Sequence, residues 1–460
     1  MLKIGTIAWL LCFVSCVHGS DRVAVETHPG AVAHYTVTIS DNFGGARVRA
    51  CFNGVALASL VPMNASASSQ LRSASIDGIP LEIHDGRILL DEPSRHECVN
   101  YETQFKPSRF RLGDISAVLS QSQWLWRPEP LPNEVSTSVR FTVPGDGRVS
   151  LSWPQSNGVY HPRRDVFFVE TFGVFGAFNW QAFSVADARI EVARLGPTPR
   201  EGDVRRWLTR AVEATASVGG RFPRDRLQFV IVSVDDPGAA VAFGMVRRGG
   251  GTSILLLPSV GVEVAQLEAD WVAIHELSHL WLPRLYPEDR WLSEGIATYL
   301  QEVLRARCGL QSSARAWRRI RDGFERGRRS GSGRTLADES RSMNRTGAYQ
   351  RVYWAGTAFA LETDLRLRRR SNGESTLFTV LNDAQRNWAQ ETRAVSASRV
   401  LAALEQSSGA EFIKALGERY AKSSDFPDTS YVDSPEYDDL RMQVSALADG
   451  GCKVSGESSR

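Results

Sequence analysis

His275-Glu276-Leu277-Ser278-His279 places two imidazoles four residues apart with a carboxylate between them. The run lies inside an apolar segment, Trp271 to Leu282, that reads as a helix. Residues four apart on a helix share one face, so both rings can reach one cation. In outline this is a zinc site, with Glu276 placed to take a proton from a water bound there. The chain has eight histidines, and these are the only two beyond His161, so chance explains the run poorly.

Catalytic zinc takes three protein ligands and keeps one position open. The third candidate is Glu294 in Trp291-Leu-Ser-Glu-Gly, at the start of the next expected helix. Pro283, Pro287 and Glu288-Asp289-Arg290 supply the turn, and an antiparallel return brings Glu294 back to the histidine face. A helix dipole alone would also favour an acid at that position. The histidine pair upstream weighs for the ligand. With His275, His279 and Glu294 bound, zinc lowers the pKa of a water toward about 7. Glu276 takes that proton, hydroxide attacks a carbonyl carbon, and Glu276 protonates the leaving amine. The oxyanion needs a second electrophile, and spacing alone leaves Tyr349 and Tyr353 as candidates.

Several elements must position these groups. From Val23 to Phe183 short alternating segments such as His34-Tyr-Thr-Val-Thr-Ile and Ser138-Val-Arg-Phe-Thr-Val predict strands, separated by glycine-rich turns. This stretch, residues 20–190, reads as an all-β sandwich. Near Pro197 the period changes. Asp203 to Ser217 reads as a helix, Leu227 to Val234 and Thr252 to Leu257 as buried strands. Two helices follow, over the histidine run and from Trp291 to Arg307, which makes 195–310 the catalytic unit. Residues 311–425 read as helical, and 426–460 as a polar, poorly ordered tail.

Composition bounds the rest. Net charge is +2, so no nucleic-acid partner is expected. Arginine outnumbers lysine 49 to 5, which a biased genome explains. Lys3 followed by the apolar Ile4 to Val14 reads as a secretory signal over residues 1–19, cleaved after Gly19. The apolar stretch is too short to span a membrane comfortably. A competing reading is a lipoprotein signal ending at Cys16, which would carry a lipid anchor. Export leaves Cys51, Cys98, Cys308 and Cys452, and pairing Cys51 with Cys98 and Cys308 with Cys452 respects domain order.

The chain resembles the gluzincin metallopeptidases, most closely the glycyl aminopeptidase family and next the aminopeptidase N family. His275-Glu-Leu-Ser-His-Leu-Trp281 and Trp291-Leu-Ser-Glu-Gly are similar to both. Tyr353-Trp-Ala-Gly-Thr looks like the segment whose tyrosine stabilises the oxyanion, which favours Tyr353. Leu361 to Leu377 and Ser408-Gly-Ala-Glu-Phe look specifically like the glycyl family. The resemblance implies a multidomain α+β protein. It would have an N-terminal all-β sandwich, a thermolysin-like zinc catalytic domain and a C-terminal helical domain completing the active site. It implies one Zn2+ per chain and a peptide or protein substrate.

Two departures stand out. The spacer from His279 to Glu294 is shorter than in either family, so the loop must be tighter. These aminopeptidases also carry a glycine-x-methionine-glutamate segment whose glutamate binds the substrate's free amine. Gly244-Met245-Val246 is the matching substrate-binding stretch, with Val246 where the glutamate should be. A valine cannot pair with an ammonium. The strand Thr252 to Leu257 is a candidate edge for an added peptide strand. The leading reading is an exported zinc metallopeptidase, periplasmic or secreted, with aminopeptidase or endopeptidase specificity. The alternative is a catalytically inactive zinc- and peptide-binding periplasmic or surface protein.

Overall fold

The computed structural model describes residues 30–446 except 107, 109 and 114, together with Cys452; for residues 91–96, 111 and 112 it describes the backbone alone. The expected leader 1–19 and its Cys16 lie outside these residues. The fold is multidomain α+β, sheet-rich in its N-terminal half and helical in its C-terminal half.

Three sheets stack. The first has ten strands, with Ser136–Thr142, Val32–Ile39, Gly45–Val61, Arg87–Gln104 and Leu71–Ile76 adjacent in that order. Alternation decides which side chains it buries: Ala33, Tyr35, Val37 and Ile39 all point to one core. Cys51 and Cys98 face each other in register and are joined as a disulfide. The second sheet contains Phe172–Gly176 beside Ser116–Ser120. Its Ala117, Leu119 and Phe175 complete the first core. Its Val118 and Val174 turn the other way, onto Ala193, Leu195, Val230 and Leu255 of the third sheet. The N-terminal half is thus a sandwich whose second sheet also floors the catalytic half.

The third sheet runs Asn179–Val185, Ala188–Leu195, Arg226–Val232, Ser253–Pro258, Val241–Arg247. Two expectations change here. The alternating pattern places the hairpin from Asn179 to Leu195, up to residue 190, in the sandwich, but it pairs with Arg226–Val232. Apart from exposed Arg189, Ala188–Leu195 is buried on both faces, as an inner strand of this mixed sheet requires. The strand at 253–258 is not an edge either. It is flanked on both sides, and Val241–Arg247 is the edge strand.

Helices cover the other face of this sheet. Val272–Ser278 carries the first histidine, tightening into a 3-10 turn over His279–Trp281 before Leu282 turns extended ahead of Pro283. Arg290–Arg307 and the long Tyr349–Ser371 pack beside it in the main core. No helix among the described residues is long and apolar enough to cross a membrane. The tail also differs from expectation. Through residue 446 it packs on the helical region, with Val432 and Val444 buried and Trp317 donating to Ser445 Oγ at 3.0 Å. Beyond it, Cys452 is bonded to Cys308. Its polar composition hid two apolar anchors and a covalent tie.

The helices Arg290–Arg307 and Tyr349–Ser371 touch backbone to backbone. A Cβ on Gly356 would lie 2.0 Å from the Trp291 carbonyl oxygen, and one on Gly295 would lie 2.1 Å from the Gly356 carbonyl carbon. Glycine to alanine in an exposed helix gains about 1 kcal/mol of propensity. Here overpacking opposes that gain and wins. Gly356→Ala is expected to lower stability by about 3 kcal/mol or more. Denaturant unfolding of Gly295→Ala and Gly356→Ala checks this, and a variant as stable as the parent would sink the close-contact account.

Candidate metal centre and active site

Each metal-ligand candidate comes from a different part of that scaffold. His275 lies within the short helix, His279 at its end, and Glu294 in the first turns of Arg290–Arg307. Glu294 Oε2 is 3.3 Å from His275 Nε2 and 3.5 Å from His279 Nε2. The three ligand atoms lie within 4.8 Å of one another. Donors bound tetrahedrally to one zinc at about 2.0–2.1 Å stand roughly 3.4 Å apart. Both carboxylate-to-imidazole distances fit that edge.

The far nitrogens of the two rings are held. His275 Nδ1 meets Gln301 Oε1 at 2.7 Å and His279 Nδ1 meets Ser293 Oγ at 2.9 Å. Gln301 is itself oriented, because its Nε2 donates to buried Glu302 at 3.0 Å. An amide oxygen accepts only, so Nδ1 of His275 carries the hydrogen and Nε2 presents a lone pair. Sequence reasoning missed both partners. The available signal was that Gln301 lies two helical turns beyond Glu294, on the same face.

Burial would raise the Glu294 carboxyl, but the two imidazoles outweigh it and hold Glu294 far below the ordinary range. Burial would lower the His275 imidazolium, and Glu294 with Glu276 reverses that. Glu276 differs. Burial pushes its carboxyl up, and the imidazoles oppose this only in part. A carboxylate so raised is better matched to taking a proton near neutral pH.

The edge strand positions Glu276. The Val246 backbone N–H donates to Glu276 Oε2 at 2.9 Å. Gly244 permits the approach, because a Cβ there would lie 2.4 Å from Val272 Cγ1 and 2.8 Å from Glu276 Cγ. The Val246 side chain joins the edge of the main apolar cluster. Met245 leaves by the other face of the strand, where its sulfur accepts from Arg247 Nε at 3.2 Å. Of the three, Gly244 and Val246 meet the site and Met245 turns away.

Tyr353 lies with its ring nearly parallel to His275, 12° between planes and 5.8 Å between centroids. Burial, then the facing carboxylates of Glu294 and Glu276, hold its hydroxyl well above the ordinary range, so it remains a donor. Tyr349 packs edge-on against Tyr353, one helical turn earlier. The segment 361–377 does structural work. Asp364, fully buried, accepts from Tyr299 at 2.6 Å, Arg368 at 3.0 Å and the Leu377 backbone N–H at 2.6 Å. It ties the tyrosine helix to the next one through a turn at Asn372 and Gly373, both of positive φ.

No family model matches the chain, and no curated protein sequence does. Solved structures do. An aminopeptidase N family protein from Idiomarina loihiensis superimposes with a TM-score of 0.69 at 17% identity, over 85% of this chain and 76% of that one. An M1 zinc metallopeptidase from Deinococcus radiodurans gives 0.54 at 16% identity, over 87% and 94%. Yeast LTA4 hydrolase in complex with bestatin gives 0.55 at 10% identity, over 88% and 71%. The fold is that of the M1 zinc metallopeptidases, in agreement with the resemblance to the aminopeptidase N group.

Asp270 ties strand to helix just ahead of the site. Its carboxylate accepts the Val272 N–H at 2.7 Å and a second bond from the Val241 backbone. Burial raises its pKa from 3.8 to about 6. A raised acid is protonated in the folded chain while the unfolded chain has already ionised. Its contribution is therefore most favourable below about pH 4, falls from there to pH 6, and stays low above. Between pH 4 and pH 7 the stability of wild type relative to Asp270→Asn should drop by about 2 kcal/mol. Urea unfolding of both proteins at the two pH values measures it. A difference that does not change with pH refutes the assignment.

Proposed function

We propose that the chain is an exported zinc metallopeptidase that hydrolyses peptide bonds. The single observation that carries this is the convergence of His275, His279 and Glu294 at zinc spacing with Glu276 and Tyr353 beside them. Zinc bound there supplies an acidified water and a polarised carbonyl. Glu276, steered by the Val246 N–H, accepts the proton of the attacking water and returns it to the leaving amine. Tyr353 donates its hydroxyl to the oxyanion. Ser293 and Gln301 keep the imidazole rings aimed.

The edge strand Val241–Arg247 offers its free side for an extended peptide to add as a further strand. Val246 supplies no charge for an N-terminal ammonium, so free and blocked peptides should be cut comparably. This favours endopeptidase over strict aminopeptidase action. Two disulfides support export, since such bonds persist in oxidising compartments. Cleavage after Gly19 or lipidation at Cys16 completes that reading. A second reading, an inactive zinc- and peptide-binding protein, has Val246 in its favour. Intact Glu276 and Tyr353 weigh against it, because binding needs neither.

The test is metal content and turnover. Protein loaded with zinc should hold about one ion per chain. Glu294→Ala should lose most of it. Glu276→Gln should keep the ion and lose roughly 100-fold to 10,000-fold in kcat. Tyr353→Phe should cost about 100-fold, mainly in kcat. If zinc never binds, the metalloenzyme reading is wrong. If it binds and no peptide with a free or blocked N-terminus is cut, the binding-protein reading replaces it.

A further inference from the structure

Five arginines gather at the C-terminal end of the histidine helix, faced by three carboxylates: Asp165 beside Arg163 and Arg284, Asp225 beside Arg224, and Glu276 beside Arg248. Arg248 follows the edge strand and donates to the carbonyls of Leu282, at 2.9 Å, and His279. Arg284 lies two residues beyond Leu282, and Arg290 opens the helix that bears Glu294. Arg163 arrives from the N-terminal half, where its backbone N–H donates to the Gly250 carbonyl at 3.1 Å, two residues past Arg248. Arg224 is fixed on the Pro223 carbonyl, which Gln385 also holds.

Among the described residues only one of the five has a carboxylate within ion-pair distance. That is Arg163, 3.4 Å from Asp165. Asp165 also accepts the Gly250 N–H at 3.0 Å, so part of its capacity is used. Capping the end of the histidine helix accounts for Arg248. It does not account for Arg284, whose guanidinium makes no hydrogen bond among the described residues. Burial, then Arg224, Arg284 and Arg163, pushes Arg248 down to about 9, with Glu276 opposing. Burial, then Arg163, pushes Arg224 down to about 10, with Asp225 opposing. A guanidinium does not release its proton in practice, so these groups hold charge that an anion would relieve.

We propose that this arginine group receives a carboxylate of the substrate, carried by the peptide's C-terminus or by an Asp or Glu side chain near the scissile bond. The proposal rests on the peptidase reading. A planar guanidinium pairs with a carboxylate through two parallel hydrogen bonds, and several can share one. The substrate would then be recognised by a negative charge, in place of the ammonium that Val246 cannot bind.

Binding to the full zinc-loaded Glu276→Gln protein tests this apart from turnover. Three probes suffice: tetra-alanine as the free acid, its C-terminal amide, and that amide with aspartate as the last residue. At least one acidic probe should bind about tenfold more tightly than the neutral amide. Which one keeps the advantage identifies the source of the carboxylate. Arg284→Gln should bring it down to the level of the amide, and Arg284→Lys should restore part of it. Equal binding of all three probes, or no binding, overturns the proposal. So does a preference that survives both Arg284→Gln and Arg224→Gln. Wild-type turnover is read separately. Acid-selective binding by a protein that cuts nothing would refute the peptidase reading and leave this one standing.

Discussion

The site depends on a contact with no side chains in it. Glu294 and Tyr353 stand on two helices that meet at Gly295 and Gly356, where a single Cβ on either would enter the other backbone. Glu294 immediately precedes its glycine, and Tyr353 lies one turn before the other. Glu294 and Tyr353 are therefore set by the distance at which two bare helix backbones stop. Thr357 reinforces the crossing, its hydroxyl reaching the carbonyls of Tyr353 at 2.8 Å and Gly295 at 3.4 Å. Close packing transmits small displacements, so strain here would reach both groups at once.

A second contact of the same kind sets Glu276. The edge strand comes close enough for the Val246 N–H to hold Glu276 because Gly244 has no Cβ. Asp270 joins the start of that strand to the start of the histidine helix. Three glycines and one half-buried acid thus bring together groups from one strand and three helical segments. The glycines that accompany the chemical residues in sequence are the cost of backbone proximity, and their substitution tests geometry more than chemistry.

The chemical residues were legible because their pattern is local. Two histidines four apart and a glutamate opening the next helix need only helical periodicity and one turn to converge. Tyr353 and Tyr349 stayed equal on spacing, and resemblance separated them. Sheet membership was not legible. Alternation marks Asn179–Leu195 as strands but does not say which sheet they join. That choice is made by distant partners such as Arg226–Val232 and by burial of both faces of Ala188–Leu195. The edge was misassigned for a related reason. Ser253–Pro258 and Val241–Arg247 are both apolar enough to be inner strands, and only pairing shows which has a free side. Gln301 and Ser293 were missed because nothing in a polar residue's type says which ring nitrogen it faces.

Charge separates the reaction from the choice of substrate. His275, His279, Glu294, Glu276 and Tyr353 form a group that could act on any carbonyl brought to it. Selection falls to what surrounds them. On one side Val246 packs into the apolar cluster and offers no charge to an ammonium. On the other, guanidiniums outnumber nearby carboxylates. The two changes act in the same direction. A guanidinium roughly 6 Å from an ammonium repels it by about 3 kcal/mol at an effective dielectric near 20, and attracts a carboxylate by as much. Removing the acid alone would leave a site indifferent to a free amine. The arginines outnumber the carboxylates that face them, and an excess of guanidinium favours one sign of charge.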